Sequence, residues 1–73
     1  MIGSKIRKLR NKIKISQQDL AAMTGLSKSR IGRIERANVS LTFDEMKLIS
    51  HALGISVDEL AKVELLLSPS SLL

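Results

Sequence analysis

The segment "SQQDLAAMTGLSKSRIGRIER", residues 16–36, decides what this chain folds into. It reads as helix, turn, helix, with a serine ahead of each helical run and Gly25 between them. Glycine takes the left-handed conformation that ends a helix at little steric cost. Two short helices crossing near a right angle need a small residue at the crossing, and Ala21 stands there. Leu20, Leu26, Ile31 and Ile34 supply apolar anchors around the turn, the helix-turn-helix arrangement. In the second helix a rotation of about 100° per residue sets Ile31 beside Ile34. Ser29, Gly32, Arg33 and Arg36 fall roughly opposite, with Lys28 at one edge. One face is built to be buried and the other to meet an anion.

The rest of the chain fits a small domain around this pair. Its 73 residues make one domain near the lower size limit for unaided folding. There is no cysteine, which removes disulfides and thiolate metal sites and fits a reducing cytoplasm. Phe43 is the single aromatic residue, so the core must be aliphatic. No apolar run approaches the ~20 residues of a membrane span, and the basic amino terminus lacks a signal-peptide apolar region. The expected location is the cytoplasm of a bacterium or phage host, on the nucleoid when bound. Charge is divided sharply. Residues 1–36 carry ten Lys/Arg against Asp19 and Glu35, whereas residues 37–73 carry Lys47 and Lys62 against five acids. The first half is suited to an anionic partner and the second to another task.

Apolar residues recur at helical spacing and no period-two alternation appears, so the expected class is all-α with five helices. The first is expected over about 4–14, with Ile6, Leu9 and Ile13 on one face. The helix-turn-helix pair spans about 17–36. The fourth helix is expected over 42–53, closed by Gly54, and the fifth over about 57–66, with residues 68–73 as a frayed tail. Residues 1–67 form the domain. Ser16 with Asp19, Thr42 with Glu45 and Ser56 with Glu59 match the capping box, in which hydroxyl and carboxylate satisfy orphan amides. The third helix breaks the pattern, because Arg30 stands where the carboxylate belongs. A cation in the first turn opposes the helix dipole. Either an external anion approaches this end, or Arg30 is a plain surface choice.

The segment resembles the helix-turn-helix of the lambda repressor/Cro-like regulators, the Xre family. The pattern of that family reads S-Q-x-x-L-A-x-x-x-G-(L/V)-S-x-S-x-I-S-x-(I/L)-E-x-G, and "LTFDEMKLISHALGISVDEL" is similar to its last two helices. Three positions depart from it: Gly32 replaces a usual serine, Ala37 a usual glycine, and Leu41 a frequent proline. Ala37 puts a left-handed cap there in doubt, with Asn38 as the alternative. The resemblance implies a compact five-helix DNA-binding domain that regulates transcription, commonly as a dimer on near-palindromic operator DNA.

It also implies roles. The third helix enters the major groove amino-terminal end first, with Lys28, Ser29 and Arg33 toward base edges. Arg33 suits guanine O6 and N7, or else a phosphate. Gln17, Gln18, Ser27, Arg30, Gly32, Arg36, Asn38 and Arg10 form a second tier of contacts, mostly to phosphate. Gln17 braces a phosphate and touches the recognition helix. Lys5, Lys8, Lys12 and Lys14 supply diffuse field. Glu35 is expected to pair with Arg10 and hold the docking angle. Gly32 either permits close approach to DNA or is a tolerated weak spot.

On the fourth helix Phe43, Met46, Ile49 and Leu53 make one stripe. Leu48 and Ala52, with Ile55, Val63, Leu66 and Leu67, leave apolar surface that a second copy would bury. The alternative is an antitoxin-like module whose carboxy-terminal segment, 63–73, sequesters a foreign protein. Enzymatic readings fail on inventory. His51 is the single histidine, no nucleophile–base set exists, and no glycine-rich phosphate loop appears. No cofactor, metal, membrane or small-molecule ligand is expected.

Overall fold

The computed structural model describes residues 2–37 and 39–66, the last four as backbone only. They form five α-helices: α1 (Ile2–Lys12), α2 (Gln17–Thr24), α3 (Lys28–Arg36), α4 (Phe43–Leu53) and α5 (Val57–Leu66). No strand occurs among the described residues. The residues expected to start helices do so. Ser16 and Asp19 exchange side-chain and backbone bonds of 2.9 and 3.0 Å, and Thr42 and Glu45 do the same at 2.9 and 3.1 Å. At α5 the hydroxyl half forms, Glu59 N donating to Ser56 Oγ at 3.0 Å. Ser27 caps α3 through the Arg30 amide alone.

Each helix commits at least one aliphatic side chain to a common core. Ile6, Leu20, Ile31, Ile34, Ile49 and Leu60 are fully buried, and Ala21 and Leu53 nearly so. Burying one such side chain contributes about 1.5–3 kcal/mol, so six of them dominate the stability of so small a domain. Half-buried Ile2, Leu9, Ile15, Leu26, Val39, Leu41, Ala52 and Ile55 pack around them. α3 lies between α1 and α2; α5 closes against α1, and α4 against both α2 and α5.

The turn between α2 and α3 follows its sequence. Gly25 is left-handed (φ 78°) and its amide returns to Ala21 O at 2.8 Å. Thr24 adds something composition did not suggest. Its buried hydroxyl donates to Leu20 O at 2.8 Å and accepts the Leu26 amide at 3.2 Å, stitching helix end to turn.

Three expectations are corrected. The first helix runs two residues earlier than expected at both ends. Lys14 adopts φ 61°, and Ile15 N returns to Arg10 O at 3.2 Å, which stops the helix without a glycine. Ile13 is therefore 44% exposed rather than core. Phe43, in the first turn of α4, is 65% exposed with Lys47 Nζ 5.3 Å from its ring centroid. It does not share the core with Ile49 and Leu53. Ala37 is extended (φ −120°), so no left-handed cap forms there, and Asn38 lies outside the described residues.

Gly3 was not anticipated in any role. It is buried, and a Cβ there would run into Ile34 O and approach Glu35 Cα at 3.2 Å. α1 thus rests its first turn directly on the backbone of α3.

Candidate nucleic-acid interface

The outer face of α3 is assembled by what its inner face holds. Ile31 and Ile34 are sunk in the core, and Glu35 is buried beside them. That rotation turns Lys28, Ser29, Arg33 and Arg36 to solvent, together with Ser27 and, at the start of α2, Gln18. Three cations and hydroxyl donors are therefore presented along one exposed helix face. Among the described residues no carboxylate pairs with Lys28, Arg33 or Arg36.

Glu35 is the fixed point of the arrangement. Arg10 grips it with both prongs, Nε to Oε2 at 2.8 Å and Nη2 to Oε1 at 3.1 Å, and its remaining nitrogen donates to Ile15 O at 2.8 Å. Gln17 Nε2 donates to the same Oε1 at 3.2 Å. The expected Arg10–Glu35 pair is present, and Gln17 does touch the recognition helix. The side chains are 11% and 3% exposed, so Arg10 is a buried structural cation. The hydrogen bonds to Glu35 outweigh desolvation and raise the Arg10 pKa further above its ordinary value.

Arg30 has an internal partner. Its Nε and Nη2 reach the two Glu45 oxygens at 2.7 and 2.8 Å, and Nη2 also donates to Ser40 O at 3.2 Å. The anion that offsets a cation in the first turn of α3 is therefore Glu45, from the first turn of α4. This corrects both the external-anion reading and the plain-surface reading of Arg30. The Arg30 hydrogen bond, aided by the Thr42 amide, lowers the Glu45 pKa from 4.5 to about 2. Nothing local in the sequence announces this pair, because the partners lie 15 residues apart across a loop.

Gly32 is also relocated. It was expected on the outward face, yet it is buried: Arg36 Nη1 lies 3.0 Å from where its Cβ would stand, and Gln17 Oε1 lies at 3.8 Å. Gly32 is covered by side chains and does not itself offer a surface to DNA.

The surface expected to receive a second copy is partly described. Leu48 is 43% exposed, and Ala52 and Ile55 are half-buried against the core, so only part of each is available. Val63 and Leu66, whose side chains are not described, and Leu67 lie outside what can be placed. Exposed His51 lines a shallow depression with Asp44, Lys47 and Leu48. Among the described residues no group of His, Asp or Glu is arranged to hold a metal ion, and no helix is long and apolar enough to cross a membrane.

Comparison with known proteins agrees with this geometry. A helix-turn-helix family model matches residues 6–60. Control protein C.SmaI of Serratia marcescens is 32% identical over 60 residues, covering 82% of this chain and 71% of that protein. The crystal structure of the restriction-modification controller C.AhdI from Aeromonas hydrophila superposes with a TM-score of 0.77 at 32% identity, over 81% of this chain and 89% of the other. The P22 c2 repressor, solved in complex with a synthetic operator, superposes with a TM-score of 0.76 at 35% identity, over 82% and 91%. A buried Arg10–Glu35 pair, an exposed cationic α3 and these relationships lead to one assignment: the chain belongs to the Cro/C1-type helix-turn-helix family of DNA-binding transcription regulators.

Proposed function

We propose that the chain is a repressor or controller that binds near-palindromic operator DNA as a homodimer. The observation that carries this reading is the division of α3, with Ile31, Ile34 and Glu35 buried and Lys28, Ser29, Arg33 and Arg36 open. Lys28, Ser29 and Arg33 read base edges in the major groove, and Arg33 grips guanine with two donors. Gln17, Gln18, Ser27 and Arg36 contact the phosphate backbone, which supplies most of the affinity and sets the register. Arg10 acts through Glu35 and Gln17 by fixing the angle of α3. Leu48, with the outward parts of Ala52 and Ile55, meets the same face of a second copy, and two copies of α3 then lie about one DNA turn (~34 Å) apart. The reading is supported by the P22 c2 repressor, whose structure contains operator DNA, and by the controllers C.SmaI and C.AhdI.

Selection of bound sequences from a random duplex library, at two salt concentrations, tests it. A symmetric motif enriched at both is expected. Affinity that follows salt alone, with no enriched motif, would overturn sequence-specific regulation.

A further inference from the structure

We infer that Gly32 is a positioning residue for Arg36, seating its guanidinium against the recognition helix beside Gln17, where it meets a DNA phosphate. The inference rests on the DNA-binding reading above and extends it to a residue that itself touches no DNA.

Helical side chains lean toward the amino terminus, so residue 36 covers the turn that begins at residue 32. With glycine at 32, the guanidinium of Arg36 settles to 3.0 Å from the point a Cβ would occupy. The amide atoms Oε1 and Nε2 of Gln17 lie 3.8 and 3.9 Å from that point. Gln17 is itself held by its bond to Glu35, so the neighbour of Arg36 on this side is fixed. The contrast with the other two arginines drawn into contacts is informative. Arg10 and Arg30 are each gripped by a carboxylate that consumes their charge. Among the described residues Arg36 has no carboxylate. It is placed by shape, and its charge is left for an anion from outside.

Glycine inside a helix lowers helix stability relative to alanine. The fold does not require it here, because the atom in the way is the far end of a flexible side chain, which can swing aside. A methyl group at residue 32 should therefore strengthen the helix while displacing Arg36. Stability and DNA affinity should move in opposite directions. A purely structural role for Gly32 would move them together.

The test uses the full chain and a duplex carrying the sequence that the wild type selects. Gly32→Ala should melt at a higher temperature than wild type yet bind the duplex roughly tenfold more weakly, as expected for a lost charge-assisted contact. The slope of log affinity against log salt should flatten by about one. Arg36→Ala should show a similar loss and the same flattening. The double variant should bind no more weakly than Arg36→Ala alone, since both changes remove one contact. Wild-type affinity and slope in Gly32→Ala, or additive losses in the double variant, would overturn the inference while leaving the DNA-binding reading intact. Failure of the wild type to bind any duplex at about 50 mM salt would overturn both.

Discussion

Arg10 and Glu35, 25 residues apart, meet through two parallel hydrogen bonds of 2.8 and 3.1 Å, and the Gln17 amide joins the same carboxylate. Three helices thereby converge on one buried anion. Glu35→Leu would leave Arg10, 11% exposed, without its counter-charge. The expected loss is about 3–5 kcal/mol, the range for a buried pair broken on one side. It should appear as a lower urea midpoint with an unchanged slope. Adding Arg10→Met should restore much of it, because neither charge is then buried alone. A double variant whose loss equals the sum of the singles would show that the two residues do not act as a unit.

Gly3 makes a second, backbone-level contact between the same helices. Gly3→Ala places a methyl group against Ile34 O, which belongs to a helix that cannot yield cheaply. Overpacking of this kind costs about 1–3 kcal/mol, against the gain alanine would otherwise bring to a helix. A thermal melt that rises in Gly3→Ala would show that α1 does not press on α3 in solution.

The Arg30–Glu45 pair should be visible as acid sensitivity. Glu45 titrates at about 2 in the folded chain against 4.5 ordinarily. The unfolded chain therefore binds this proton at higher pH than the folded one. The stabilisation is complete above about pH 4.5 and fades as pH falls toward about 2. Melting temperatures followed across that window should drop more steeply for wild type than for Glu45→Gln, which starts lower and has less to lose. Parallel curves would remove the pair from the stability of the domain.

Arg33 carries the sharpest prediction about sequence preference. Arg33→Ala should relax the preference at one position in each half-site by roughly 1–3 kcal/mol, leaving other positions unchanged. Repeating the library selection with this variant measures it. Uniform weakening on all sequences would instead place Arg33 on the phosphate backbone.

Self-association is tested at Leu48, whose exposure makes it replaceable without loss of the core. Sedimentation at micromolar concentration should give a dimer for wild type and a monomer for Leu48→Glu, with both chains fully helical by circular dichroism. A wild type that stays monomeric without DNA would rule out a preformed pairing through this face.

Much of the fold was legible because its signals are local. Gly25, Ser16 and Thr42 act on amides within a few residues of themselves, and Ile31 with Ile34 declares its own buried face. The Arg10–Glu35 pair became readable only through a family resemblance, since its members are distant in sequence. What escaped was set by contacts between elements. Lys14 ends α1 in a conformation lysine rarely takes, so no sequence signal marks it. Phe43 has the hydrophobicity of a core residue but sits one turn too early on α4 to reach the core. Gly32 occupies an outward position on a helical projection, which ignores the long side chain that folds back over it. Arg30 looked like a free cation for want of a visible partner, and Glu45 emerges only once the loop between α3 and α4 is drawn.

The aliphatic core has a practical consequence for all of these measurements. With neither tryptophan nor tyrosine in the chain, folding and association give almost no intrinsic fluorescence signal. Phe43 turns that silence to advantage. It projects from α4 outside the core, so Phe43→Trp would install a single fluorophore against a dark background. Its emission should shift toward the blue when a second molecule covers that face and stay unchanged when it does not.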